Sequence, residues 1–203
     1  MIDVVVLEGP IAAGKSTALE HIEDCNLPGV VVVREPVDNW QGASMLQAMY
    51  DGTLPMCTFQ VAALATRVAA LHKALAAEPP PVMIVAERSV YTDRLFAMAN
   101  LDSASVAASA YDVAWRAMVP LLPVHTVFHI MLQCPTPTLM QRVAARGRPE
   151  EAQITTDYMD TINTLHDAWA VSAPACNIVD ASRGAVAVAA SVAAIVIERR
   201  GSL

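Results

Sequence analysis

The chain has 203 residues, 55% of them hydrophobic, enough to bury one sizeable core, so a single domain spanning residues 1–203 is the expectation. With 13 Lys and Arg against 20 Asp and Glu the formal charge is -7, which offers no broad basic face for counterion release and excludes nucleic acid as an expected partner. The cysteines Cys25, Cys57, Cys134 and Cys176 lie far apart without metal-ligand or CxxC spacing, which fits a reducing compartment and makes the cytosol the expected location.

In chain order, short apolar runs rich in branched residues fall at 4–7, 30–33, 82–85, 126–132 and 178–179 and read as buried parallel strands. Segments of helical composition alternate with them at 16–22, 58–77, 105–118, 136–145, 155–173 and 185–199. Strand alternating with helix argues an α/β fold, a doubly wound sheet with helices on both faces. The Pro-rich stretch 78–81 reads as a helix end, because a strand pattern follows at once. The Ala-, Val- and Ile-rich run 185–197 is too short to cross a bilayer, so it is expected to be a buried helix and no membrane is expected as a partner.

Between the first strand and the first helix, Gly9, Pro10, Ile11, Ala12, Ala13, Gly14, Lys15 and Ser16 fill the pattern GxxxxGK[ST], followed by Thr17. Successive backbone N–H groups and a helix N-terminus there form a concave anion site. Lys15 is expected to reach the β and γ phosphates of ATP or another nucleoside triphosphate, and the Ser16 hydroxyl to ligate Mg²⁺. A guanine-specific switch would carry an Asn-Lys-x-Asp motif, and the sequence has none. A binding subunit that keeps the loop without chemistry is the other class of function.

Two further charged groups stand at strand ends. Glu35 follows the second apolar run and Glu87-Arg88-Ser89 the third, and the carboxyl ends of an open α/β sheet border its ligand crevice.

With GPIAAGKST, EPVDNW, the Phe59-Gln60 pair, ERSVYTDR and RGRPEE in this order, the chain resembles deoxyribonucleoside kinases of the deoxycytidine and deoxyguanosine kinase family over nearly its whole length. The resemblance implies a P-loop kinase fold with a five-stranded parallel sheet and helices on both faces. It implies ATP- and Mg²⁺-dependent phosphorylation of the 5′-hydroxyl of a deoxynucleoside in nucleotide salvage, by a homodimer. It casts Glu35 as general base, Arg88 as the group holding Glu35 and the nucleophile, and Glu87 as the Mg²⁺ partner of Ser16. The segment about 142–152 resembles the lid, whose Arg142, Arg146 and Arg148 would neutralise the migrating phosphoryl group. Glu151 and Tyr50 match the pair that binds the sugar 3′-hydroxyl, and Gln60 the amide that pairs with the base edge. Phe59 and Trp40 would wall the base, with Ile11, Val37, Leu46 and Met49 lining the rest, and Asp180 begins the loop that contacts the donor adenine.

Arg67 returns to the side of Gln60 two helical turns on, and Asp93 stands where deoxycytidine-type kinases place the Asp that pairs with that Arg. Such a pair leaves little room for a thymine methyl, so the expected substrates are deoxycytidine, deoxyadenosine or deoxyguanosine rather than thymidine. The family commonly places a base-stacking Phe at the position of Ala97, whereas here the aromatic is Phe96; either Phe96 is core, or the pocket is wider at that face and admits purines more readily. The enzymatic rival is a nucleoside monophosphate kinase such as thymidylate kinase. The catalytically silent subunit is opposed by Lys15, Glu35, Glu87, Arg88 and the lid arginines, which an inert chain has no reason to bury. Tyr111, Trp115 and Trp169 read as core or dimer-helix residues, and the five His show no ligand pattern.

Overall fold

The computed structural model describes residues 2–122 and 127–202. Five parallel strands, β1 (Asp3–Glu8), β2 (Val30–Val33), β3 (Met83–Glu87), β4 (Val127–Gln133) and β5 (Cys176–Asp180), form one sheet in the order β2-β3-β1-β4-β5. Thr126, the expected first residue of the fourth strand, lies outside the described residues.

The continuous apolar runs are explained by burial on both faces. From β1, Val5 and Leu7 join a core with Leu19 and Ile22 of α1 (Lys15–Asp24), Leu139 of α7 (Thr136–Arg146), Met159 of α8 (Thr156–Ser172) and Val188 and Val192 of α9 (Ala185–Gly201). Val4 and Val6 point the other way and meet Ala74 and Leu71 of α4 (Met56–Leu75), as the two-residue period of a strand requires. A third cluster fastens α4 to α5 (Val90–Asn100) and α6 (Val106–Met118) through Leu64, Val68, Val90 and Tyr111.

Helix boundaries follow local chemistry. Ser105 accepts from the Ala108 N–H to start α6, and Thr155 accepts from the Tyr158 N–H to start α8. Three helices were not read from composition: α2 (Val37–Gly42) and α3 (Met45–Tyr50) are too short for a periodic signal, and α5 opens with β-favouring residues. Ser89 starts α5 by accepting from the N–H groups of Tyr91 and Thr92. Among the described residues, no helix is long and apolar enough to cross a membrane.

Because β1 pairs with β3 on one side and β4 on the other, the loops leaving β1, β2 and β3 converge above the carboxyl edge of the sheet.

Candidate active site

The loop after β1 is shaped by left-handed backbone at Gly9 (φ 139), Ala12 (φ 62) and Gly14 (φ 104). A Cβ on Gly9 would lie 2.7 Å from the Leu132 carbonyl oxygen, so only glycine lets the loop pass this close to β4. Gly14 caps α1 without a side-chain bond, which leaves the first N–H groups of that helix for an anion. Lys15, buried to 5% exposure, folds back over the loop and donates to the carbonyls of Gly9 (3.0 Å) and Pro10 (2.8 Å). Burial, then the neighbouring Arg88 charge, pushes its pKa down to about 7.

Glu87, the last residue of β3, joins the other two strand ends. Its Oε1 accepts from the Ser16 hydroxyl at 3.0 Å and its Oε2 from the Glu35 N–H at 3.4 Å. Ser16 and Glu87 thus offer two hard oxygen donors side by side, a set that fits a Mg²⁺ carried in on phosphate oxygens. Among the described residues, no cluster of three or more His, Cys, Asp or Glu could hold a metal by itself.

Glu35 accepts from Arg67 and lies 3.5 Å from Arg88 Nε. Burial would raise its pKa, but Arg88, Arg67 and Lys15 outweigh that effect and bring it below the usual carboxylate value, so the group stays ionised. Arg88 itself has left-handed backbone (φ 63), with its N–H donating to Leu7 O and its Nη1 to Gly9 O at 2.8 Å. The guanidinium lies on the face of Phe96, 4.5 Å from the ring centre. Beneath it the wholly buried Glu8 accepts from the Ser89 N–H, the Thr92 hydroxyl and His129 Nδ1. Burial opposes ionisation of Glu8, and the His129 contact with these donors overcomes it.

These groups open into a cavity of about 460 Å³. Ile11, Ala12, Ala13, Gly14, Lys15, Ser16 and Thr17 line one end and Glu35, Glu87 and Arg88 its middle. Gly9 lies under the loop, where its carbonyl receives Lys15 and Arg88. The other end is lined by Val37, Trp40, Leu46, Met49, Tyr50, Phe59, Gln60, Arg67 and Asp93. Trp40 meets Phe59 edge-on at 5.5 Å and donates from Nε1 to Thr66. The Gln60 amide is 4% exposed, and among the described residues its one hydrogen-bond contact is Nε2 to the Met56 sulfur at 3.7 Å, so nearly all its capacity is available to a ligand. Arg67 bonds Asp93 through Nη1, and the Tyr111 hydroxyl donates to the other Asp93 oxygen at 2.7 Å.

At the rim, Arg142, Arg146, Arg148, Glu150 and Glu151 line the same cavity. Arg146 grips Glu151 through Nε (3.1 Å) and Nη2 (2.6 Å), while Arg148 Nη1 lies 3.5 Å away. Arg142 donates from Nη2 to the carbonyls of Ala181 and Arg183, bracing the loop after β5. Gln41 of α2 donates to Glu150 across the mouth. Burial raises the Tyr50 pKa, with Tyr158 and Glu151 adding to it.

Two expectations are corrected. Ala97 does not line the cavity: it is 3% exposed and packs with Leu64, Val68, Val90 and Tyr111, while Phe96 forms the wall. One position on a helix is a rotation of about 100°, so placing the aromatic one residue earlier turns Ala97 into the core. Asp180 does not reach the cavity either, because its carboxylate turns back to accept from the N–H (2.9 Å) and hydroxyl (2.6 Å) of Ser182. Ala63, Tyr158, Ala185 and Val188 also line the cavity and carry no motif in the sequence. Tyr111, read as core, belongs to the Arg67–Asp93 network.

Comparisons with known proteins match this geometry to a family. The profile of a family described as deoxynucleoside kinase matches residues 5–199. A probable deoxycytidine kinase of fowlpox virus (strain NVSL) is 28% identical over 172 residues, covering 81% of this chain and 70% of the relative. Human deoxycytidine kinase is 28% identical over 196 residues, covering 81% and 74% respectively. A thymidine kinase of Ictalurid herpesvirus 1 (strain Auburn) is 30% identical over 189 residues, covering 89% and 79%. A solved structure of deoxyadenosine kinase from M. mycoides, with products dCMP and a flexible dCDP bound, superposes with a TM-score of 0.77 at 22% identity, covering 98% of this chain and 100% of that one.

Proposed function

The chain belongs to the deoxynucleoside kinase family, and from that premise we propose that it is a salvage enzyme transferring the γ-phosphoryl group of ATP to the 5′-hydroxyl of deoxycytidine or a purine deoxynucleoside, in preference to thymidine. Membership makes it a phosphotransferase with a nucleotide donor and a P-loop kinase fold. The relatives include deoxycytidine and thymidine kinases at similar identity, so the choice of base rests on the site's own chemistry.

The observation that carries the reading is the Gln60, Arg67 and Asp93 group at the apolar end of the cavity that holds Glu35 and the phosphate loop. Gln60 supplies one donor and one acceptor in a plane, matching an amino group beside a ring nitrogen. On this reading a thymine methyl would project against the Arg67–Asp93 ion pair, and burying a methyl against a fixed ion pair is unfavourable.

With a deoxynucleoside at that end, its 5′-hydroxyl faces Glu35, whose carboxylate accepts the proton as the oxygen attacks the γ-phosphorus. The bond from that phosphorus to the β–γ bridging oxygen breaks, and the nucleoside diphosphate leaves. Lys15 exchanges its carbonyl partners for phosphate oxygens, and the lid arginines neutralise charge on the migrating group. Mg²⁺ held by Ser16 and Glu87 would supply further neutralisation of the phosphate oxygens. Tyr50 and Glu151 hold the 3′-hydroxyl. A single kinase domain, assembled as a homodimer in the cytosol, completes the reading.

Incubating the protein with each of the four common deoxynucleosides, ATP and Mg²⁺ and measuring monophosphate formation tests it. Deoxycytidine or the purines are expected to react fastest. Thymidine as the best substrate overturns the base assignment, and reaction only with a nucleoside monophosphate overturns the acceptor assignment.

A further inference from the structure

His166 lies in α8, completely buried and outside the cavity lining, directly behind Arg88. Its Nδ1 is 2.8 Å from the carbonyl oxygen of Ile162. A carbonyl only accepts, so Nδ1 carries the hydrogen, and Nε2 of the neutral ring is left with a lone pair. Arg88 Nη1 lies 3.4 Å from that nitrogen and donates to it. Burial, and then the charge on Arg88, pushes the imidazole pKa down to about 3, which keeps the ring neutral, while the Ile162 carbonyl holds the hydrogen on Nδ1.

The two Nη1 hydrogens of Arg88 thereby find one acceptor each, Gly9 O on the phosphate loop and His166 Nε2 on α8. Phe96 covers the guanidinium face and touches the imidazole edge-on, with ring centres 5.6 Å apart. Acceptors on one nitrogen and a ring on one face fix both the tilt and the in-plane rotation of the fork. Its Nε is left 3.5 Å from the Glu35 carboxylate. A histidine that only filled the core would have no reason to aim a lone pair at a buried cation, and a buried cation without that acceptor keeps an unmet donor.

We propose that His166, as the neutral Nδ1–H tautomer, is a positioning residue for phosphoryl transfer: it accepts from Arg88 and holds the guanidinium in the orientation that presents Nε to Glu35 and the reacting oxygen. The proposal rests on the reading that Arg88 acts in the transfer step. His166 touches neither substrate nor donor, and its effect passes through Arg88.

The test is a double-mutant cycle on the full chain with His166→Phe, Arg88→Lys and both together, with His166→Gln as the conservative variant that restores an acceptor. Turnover, KM for the deoxynucleoside and for ATP, and the thermal midpoint are measured for each. His166→Phe is expected to lower kcat about tenfold or more while both KM values move less than about threefold, and the double variant to be no slower than Arg88→Lys alone. His166→Gln is expected to recover most of the loss. The proposal is overturned if His166→Phe keeps kcat within about twofold of the parent while Arg88→Lys is slow, or if the two losses multiply. Arg88→Lys with undiminished kcat instead removes the reading of Arg88, and the proposal falls with it. If His166→Phe does not fold, His166→Leu takes its place under the same outcomes.

Discussion

Arg67 donates to Glu35 from one amino nitrogen and to Asp93 from the other, so the side chain expected beside the base is bonded directly to the carboxylate expected beside the 5′-hydroxyl. Both acids are largely buried, at 15% and 2% side-chain exposure, and the bridge couples the two ends of the pocket. A residue that only shaped the base pocket would change KM and leave kcat alone. Arg67→Ala is expected to raise KM for the deoxynucleoside and lower kcat together, because Glu35 loses one of the charges that hold it. It also takes a shared cation from two buried carboxylates, at a cost of about 3–5 kcal/mol in unfolding free energy. Steady-state kinetics and urea denaturation measure the two effects; a change in KM alone would uncouple the two ends.

Glu35→Gln keeps the shape and removes the base. Turnover is expected to fall by about 10²–10⁴ while the affinity for a non-hydrolysable triphosphate stays within about threefold. Glu35 is held ionised below the ordinary carboxylate range by Arg88, Arg67 and Lys15, against the pull of burial. A base must be deprotonated, so a lowered pKa extends its working range downward: in a pH–rate profile the acid limb of kcat/KM set by this group is expected below the ordinary carboxylate range.

Lys15 has its pKa pushed down to about 7 by burial and by Arg88. Near pH 8 most of it is therefore neutral in the free protein, about one unit above that value, and an incoming polyphosphate restores the charge. Triphosphate binding near pH 8 is expected to take up close to one proton per site, and about pH 6 to take up almost none. Calorimetry in buffers of different ionisation enthalpy reads this directly, and Lys15→Arg, always charged, should abolish the uptake.

Gly9 and Gly147 separate two reasons for glycine. At Gly9 a Cβ meets the Leu132 carbonyl at 2.7 Å on backbone with φ 139, while at Gly147, with φ 65, nothing lies within 4 Å. Gly9→Ala is expected to cost about 3 kcal/mol or more and to abolish triphosphate binding, since overpacking adds to backbone strain. Gly147→Ala should cost about 1 kcal/mol, the left-handed penalty alone. Denaturation midpoints of the two variants decide it.

Phe96 and Ala97 serve different surroundings on α5, the cavity wall and the core. Phe96→Ala is expected to raise KM for the deoxynucleoside about threefold to tenfold, the loss of one aromatic contact. Ala97→Phe should lower the thermal midpoint, because it overpacks a core bounded by Leu64, Val68 and Tyr111 by about 1–3 kcal/mol. If Ala97→Phe were instead to tighten nucleoside binding at unchanged stability, the assignment of the wall would be wrong.

The central strands β1 and β3 were legible in the sequence because they are buried on both faces, and such strands write themselves as nearly unbroken apolar runs. The phosphate loop was legible because glycine positions and a lysine are fixed by backbone geometry close to the anion. Arg67 and Asp93 could be paired from the family resemblance, and they do bond. The link from Arg67 to Glu35 carries no such signal, since it joins a helix to a strand end across 32 positions of sequence. Phe96 and Ala97 failed for a different reason: an aligned position fixes a place along a helix, and a slip of one residue turns the side chain away from the pocket. His166 was set aside because the five histidines show no ligand spacing, and only the direction of its Nε2 gives it a role. Asp180 was expected to open the loop that contacts the donor adenine, but a short Asp-x-Ser turn satisfies its carboxylate locally.

The bent backbone at Arg88 carries a cost of its own. A non-glycine residue at φ 63 is held about 1 kcal/mol or more above its relaxed form, and the restraint comes from the neighbours that grip its N–H and side chain. A glycine there would relax the main chain and delete the guanidinium in the same stroke. The strain of about 1 kcal/mol that it relieves is set against a larger loss, the buried partner of Glu35, so position 88 is held by its side chain against the preference of its own backbone.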